Sequence, residues 1–249
     1  MPLIGCTCEV CRSSDPRNHR TRCSALLEIG DTKLLIDTGP DLRAQALAHD
    51  LSTVDAVLYT HSHADHLHGI DDVRAFNIKR GGPIDVFADQ TTLWHLETRF
   101  GYTLQSKPAA DRETTWSWWR PALIPNLIDG PFEAAGVPVR PFLQRHGRGT
   151  STGFRVGGFA YSPDVHEFPD DSLAELAGLD VWVVDALRER PHASHAHLER
   201  ALGWIDQLRP TRAVLTHMNH EVDYATWVGR LPAGVEPAFD GMVLDLPDP

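Results

Sequence analysis

Three histidines and an aspartate fall within six residues, at His61, His63, Asp65 and His66. His61 and His63 are two apart, so in extended chain their imidazoles point the same way. Asp65 and His66 start a new direction, expected as the first turn of a helix. The cluster therefore offers two imidazoles on one side and a carboxylate with an imidazole on the other. Nitrogen and oxygen donors of this kind suit zinc, manganese or iron. A single His-x-His is commonly surface decoration; four such residues closing an apolar run are hard to read that way. Metal-binding residue types recur at His146, Asp164 and His217, each at the end of an apolar stretch. A second chemistry stands near the start of the chain. Cys6, Cys8 and Cys11 have C-x-C-x-x-C spacing, and thiolates so spaced can share one tetrahedral zinc. The fourth ligand must then be Cys23 or a distant histidine.

The elements that must position these residues are mostly short apolar runs. Ala56 to Tyr59 reads as a buried strand, and the 61–66 cluster lies past its C-terminal end, where layered α/β folds bind ligands. Ser24 to Ile29 and Thr32 to Ile36 flank Gly30-Asp31 and predict a hairpin. The second of these strands runs into Asp37, which either holds a metal-ligating imidazole or caps the next helix. Helices are expected over 41–49, with Leu42, Ala46 and Leu47 facing inward, and over 70–77, 90–99 and 171–177. A further one follows His192, His195 and His197 and runs to Leu208, and a short one lies near 222–229. Strands are expected over Ile84–Phe87, a pair broken at Gly136 within Phe132–Phe142, Thr152–Val156, Phe159–Ser162, Val181–Val184 and Ala213–Leu215. Residues 101–127, with Trp116, Trp118 and Trp119, lack clean periodicity and read as an excursion covering the site or a dimer interface.

The chain has 249 residues, 42% of them hydrophobic, enough for one large α/β domain. A single domain over 1–249 with a zinc-binding segment at 1–23 is the expected organisation. The net charge of −11 argues against a general nucleic-acid surface. Arg12, Arg17, Arg20 and Arg22 form the one basic patch, read as solvated surface or as phosphate-facing. No apolar run reaches the ~18 residues of a membrane span, and no secretory signal is visible. With the thiols crowded into the first 23 residues, a cytoplasmic protein is expected.

The pattern H-x-H-x-D-H resembles the signature of the metallo-β-lactamase fold superfamily. That resemblance implies an α/β fold, an αββα four-layer sandwich, with metal at the sheet edges. One ion is assigned to His61, His63 and His146, the other to Asp65, His66 and His217, with Asp164 bridging. Gly5 to Cys11, Ile36-Asp37-Thr38-Gly39, Ser162-Pro163-Asp164, Leu215 to His220 and Phe239-Asp240-Gly241-Met242 follow in the order of the PhnP-like phosphodiesterase branch. That likeness spans nearly the whole chain. It implies a structural zinc on Cys6, Cys8, Cys11 and His220, with Cys23 as the alternative fourth ligand. It also implies that His195 contacts the phosphate and acts as general acid, with His192 and His197 as neighbours of no assigned role. The branch carries a strand before its cysteines, where only five residues precede Cys6 here; either the chain starts late or an edge strand is missing, and in the second case an exposed edge or one paired in a homodimer is expected.

The expected activity is metal-dependent hydrolysis of a small phosphodiester, such as a cyclic ribose or nucleotide phosphate, through a metal-bridged hydroxide. Two divalent ions, zinc or manganese, and one structural zinc are the expected cofactors; Asp65, Asp164 and His195 are the expected catalytic groups. The alternatives are a metallo-hydrolase of a thioester or lactam and a non-catalytic binding protein of a cofactor pathway. Asp164 disfavours a lactamase, since those relatives lack the bridging carboxylate.

Overall fold

The computed structural model describes residues 1–105 and 120–246. Trp116, Trp118 and Trp119 lie outside the described residues. The chain divides into two compact units. A central unit, central in sequence only, holds Arg22–Val139; a terminal unit joins Met1–Thr21 to Arg140–Pro249.

The central unit is built on one sheet. β1 (Ala25–Ile29) and β2 (Thr32–Ile36) form the expected hairpin around Gly30, whose φ of 57° lies in the left-handed region that glycine adopts without strain. β3 (Ala56–Leu58), β4 (Ile84–Ala88) and β5 (Leu123–Leu127) follow in parallel, giving the order β1-β2-β3-β4-β5. All three residues of β3 are buried, as a strand covered on both faces requires. The covering helices are α1 (Leu42–Ala48), α2 (Ala64–Leu67), α3 (Val73–Arg80) and α4 (Gln90–Phe100). Leu35, Val57, Leu67, Ile70, Phe76 and Leu96 are core residues of this unit. Leu42 is buried as expected, but Leu47 is 66% exposed. Leu47 is five residues on, about 140° around the helix from Leu42, so one face cannot bury both. The helix expected over 70–77 begins as a 3₁₀ turn at Ile70–Asp72 and becomes α3 at Val73, ending at Gly81 in the left-handed conformation.

β6 (Phe132–Ala134) and the first residues of β7 (Val137–His146) make a tight hairpin in which Ala135 and Gly136 both have positive φ. β7 continues into the terminal unit. There it pairs antiparallel with β8 (Gly149–Val156), which pairs antiparallel with β9 (Phe159–Ser162). α5 (Asp170–Glu175) leads to β10 (Val181–Asp185), and α6 (Leu198–Leu208) to β11 (Arg212–Thr216). α7 (Tyr224–Val228) leads to β12 (Val235–Pro237). β9 to β12 are parallel, and the order is β12-β11-β10-β9-β8-β7. β12 is not visible in the sequence pattern. It is three residues long and ends in proline, which a sheet tolerates at its edge. Phe142, Phe168, Trp182, Leu215 and Trp227 pack this unit's core.

In both units the registers bring the C-terminal ends of the parallel strands level. Ile36 pairs with Leu58 in one, and Ser162 with Val184 and Asp185 with Thr216 in the other. Among the described residues no helix is long and apolar enough to cross a membrane.

Candidate metal centre

In the central unit the geometry starts from Asp37, one residue past β2. It is fully buried and has φ 64°, a conformation costly for a residue with a Cβ and commonest at functional positions. The carboxylate organises its surroundings completely. Oδ1 accepts the Thr60 backbone N–H at 2.8 Å. Oδ2 accepts the Thr60 hydroxyl at 2.8 Å and lies 2.7 Å from His66 Nδ1. Because the Thr60 hydroxyl proton goes to Asp37, its oxygen is left to accept from His61 Nδ1, 3.0 Å away. One carboxylate thus places Nδ1–H on both His61 and His66 and leaves each Nε2 as the metal-facing nitrogen. Of the two roles open to Asp37, the imidazole-holding one is observed; the residue before α1 is Asp41. Burial raises the Asp37 carboxyl above its usual range, opposed by His66 and by the hydrogen bonds from Thr60.

The backbone after Asp37 grips α2. Thr38 N–H donates to the His66 carbonyl and Gly69 N–H to the Thr38 carbonyl, both at 2.8 Å. A Cβ on Gly39 would stand 2.3 Å from the Asp65 carbonyl oxygen, so the contact requires glycine. His61 and His63 rings are 4.5 Å apart, and His61 and His66 rings 4.4 Å. Asp65 Oδ2 lies 3.7 Å from His66 Nε2. The four motif residues are thus gathered. Cys23 belongs here as well, its sulfur within 4.8 Å of a ring nitrogen of His66.

The terminal unit gathers His146, Asp164, His195 and His217. Asp164 and His217 both follow strands with positive φ, 48° and 59°. Asp164 is held through its carbonyl by Ser151 Oγ at 2.8 Å, and Ser151 is held by Gln144. Its two carboxylate oxygens face different imidazoles. Oδ1 is 3.1 Å from His217 Nε2 and Oδ2 is 3.4 Å from His146 Nε2. Two ligands at zinc bond lengths and tetrahedral angles stand about 3.3 Å apart, so these separations fit metal coordination. His146 Nδ1 meets the Ser194 carbonyl at 2.7 Å, which again leaves Nε2 for a metal.

His195 is the histidine of the 192–197 group that a buried carboxylate holds. Its Nδ1 lies 2.8 Å from Asp185 Oδ2, its ring stacks 4.6 Å from that of His217, and its Nε2 is 3.8 Å from Asp164 Oδ2. Asp185, the last residue of β10, is fully buried, and burial raises its carboxyl above the usual range against the opposing effect of His195. In the sequence Asp185 only follows the strand expected over Val181–Val184. The available signal was an aspartate closing a fully apolar strand, the same pattern that marks Asp37. His192 is exposed, its basicity lowered by burial and then by His195; His197 precedes α6.

Cys6, Cys8 and Cys11 also converge, their sulfurs all within 4.8 Å of one another. The Cys11 N–H points at Cys8 Sγ and the Leu3 N–H at Cys11 Sγ, each at 3.4 Å. The Cys11 N–H is the largest cause lowering the Cys8 thiol below its usual value. Such N–H donors favour the thiolates that zinc needs. His220 comes near Cys8 through its carbonyl oxygen, 3.7 Å from Sγ, and neither it nor Cys23 joins the thiol group. Three of the four early arginines are engaged within the fold. Arg17 pairs with Asp15 and Arg22 with Asp41, while the buried Arg20 bonds the carbonyls of Asn219 and Val222.

A family model described as the beta-lactamase superfamily domain matches residues 32–218. The chain belongs to the beta-lactamase superfamily. Its fold class, α/β with two sheets and their helices, is that of the superfamily, and its branch is PhnP-like. A solved structure of a diphosphatase from the PhnP family is 34% identical, with a TM-score of 0.89, covering 99% of this chain and 93% of that one. The anti-Pycsar protein Apyc1 of Bacillus phage 010DV004 is 35% identical over 228 residues, 84% of this chain and 87% of the relative. An octanoyltransferase of Porphyromonas gingivalis is 32% identical over 246 residues, 97% of this chain but 48% of that protein. The chain thus spans about half the length of that relative. The His/Asp clusters are compatible with the divalent metals that the superfamily fold implies.

Proposed function

We propose that the chain hydrolyses a small phosphodiester, a cyclic ribose or nucleotide phosphate, with His61, His63, Asp65, His66, His146, Asp164 and His217 as its metal ligands. The observation that carries the reading is Asp164, one carboxylate presenting an oxygen to each of two imidazoles, His146 and His217. The likeness to a PhnP-family diphosphatase supports phosphate chemistry. Bound divalent ions, zinc or manganese, supply activation of water and neutralisation of the phosphoryl charge.

The chain's own groups do the rest. Asp37 keeps His61 and His66 in one tautomer. His195 delivers its Nε2 proton to the leaving oxygen as the P–O bond breaks, and Asp185 holds the ring through Nδ1. Cys6, Cys8 and Cys11 bind a zinc ion that orders the N-terminal segment. Its fourth ligand is His220, whose backbone already meets Cys8.

The test is turnover of bis(p-nitrophenyl) phosphate and a 2′,3′-cyclic nucleotide with added Mn²⁺ or Zn²⁺. Hydrolysis of either is expected; no turnover of both overturns the reading. Thioester hydrolysis is the second reading; the likeness to an octanoyltransferase about twice this length supports acyl chemistry. Rates on a thioester and a phosphodiester, measured side by side, decide between them.

A further inference from the structure

Beside the ligand turn of the central unit lies a surface that none of the assigned roles uses. Arg99, in the last turn of α4, donates from Nη1 to the carbonyl of Ser62 at 3.0 Å. Ser62 stands between His61 and His63, so this guanidinium braces the turn that carries two expected ligands. Arg99 Nη2 lies 3.2 Å from His95 Nδ1, one helical turn back. His95 in turn touches Trp94, the rings 4.6 Å apart and inclined at 62°. Trp94 is 57% exposed, unusual for the largest side chain on a helix whose Leu96 is fully buried.

Arg99 is exposed, makes no ion pair with a carboxylate among the described residues, and spends one N–H on a carbonyl and one toward an imidazole. A guanidinium has five donors in a planar fork, so others remain for an anionic ligand. In a chain of net charge −11, this guanidinium places positive charge beside the turn that carries His61 and His63. An exposed indole two contacts away adds a flat apolar platform, and aromatic platforms stack nucleobases with little dependence on the base.

We propose that Trp94, His95 and Arg99 form the recognition subsite for the base-bearing side of the substrate. The indole stacks the planar base, and the guanidinium draws the anionic part toward the Ser62 turn. The subsite rests on the phosphodiesterase reading above and narrows it to nucleotides.

The test compares kcat/KM of the metal-loaded protein on a 2′,3′-cyclic nucleotide and on the cyclic ribose phosphate without a base. The native protein is expected to prefer the nucleotide. Trp94→Ala is expected to reduce that preference about tenfold, within the range that base stacking on an aromatic ring gives. Trp94→Phe, which keeps a ring, is expected to retain most of it. Arg99→Lys keeps the charge but loses the fork, and KM is expected to rise about tenfold for both substrates. Turnover of both substrates with the preference intact in Trp94→Ala overturns the subsite and leaves the phosphodiesterase reading standing. Turnover of neither by the native protein overturns that reading and the subsite with it.

Discussion

Asp37 and Asp185 perform the same task in different units, with different degrees of freedom. Each is a fully buried carboxylate at the end of a parallel strand, and each holds the Nδ1 of a histidine, at 2.7 and 2.8 Å. Asp37 is closed. Both oxygens are engaged, three protein groups converge on it, and its His66 side chain has no exposure. Asp185 is open. Its Oδ2 takes the Val165 N–H as well as His195, while Oδ1 makes no hydrogen bond among the described residues. Its His195 side chain keeps 11% exposure. A metal ligand needs one fixed direction; a proton donor needs a fixed direction and access to substrate. The first arrangement suits His66 as ligand and the second suits His195 as acid.

The largest expected effect comes from breaking the closed pair. Asp37→Ala strips partners from His66, the Thr60 N–H and the Thr60 hydroxyl at once, all of them buried. Metal affinity is expected to fall about a hundredfold, the upper range for losing a carboxylate behind a ligand histidine. Metal titration with calorimetry checks this; near-native affinity would show that His61 and His66 orient without Asp37. Breaking the open pair should be gentler. Asp185→Asn is expected to lower kcat about tenfold, less than the roughly 10²–10⁴-fold that a general acid itself contributes, with metal content and KM kept. Loss of metal instead would make His195 a ligand rather than an acid.

Gly39→Ala tests how tightly the closed pair is built. The added methyl would overlap the Asp65 carbonyl, and overpacking of this sort costs about 1–3 kcal/mol. A lower melting temperature and a rate reduced by a few fold are expected; an unchanged melting temperature would show that α2 is free to shift. The smallest effect on rate belongs to Cys8→Ser, which touches neither pair. It is expected to remove one zinc per chain and lower the melting temperature, because structural zinc contributes directly to folding. Full zinc content with an unchanged melting temperature would contradict a zinc site at the thiols.

Much of this was legible because parallel strands buried on both faces read as plain apolar runs, and function follows where they stop. Ala56–Leu58 into His61 and Phe159–Ser162 into Asp164 are such stops. Asp185 was missed because one aspartate after a strand is ambiguous between turn, cap and partner. Its histidine comes ten residues later, one of three between 192 and 197, in a stretch with no periodicity. The choice of His195 over His192 and His197 rested on family likeness, and the physical reason, Asp185, is visible only in three dimensions. Arg20 looked like surface because sequence does not show carbonyls; the backbone of 219–222 is what buries it. Cys23, the alternative fourth ligand by sequence, lies in the central unit with its sulfur near a ring nitrogen of His66.

Metal-dependent phosphodiester cleavage is tested most directly by one measurement. The protein is stripped with a chelator, then reloaded with Mn²⁺ or Zn²⁺, and its rate on a 2′,3′-cyclic nucleotide is followed at each stage beside Asp164→Asn. The expected result is no turnover when stripped, recovery on reloading, and no recovery for Asp164→Asn although it stays folded. Full activity in the stripped protein, or near-native activity in Asp164→Asn, would contradict it.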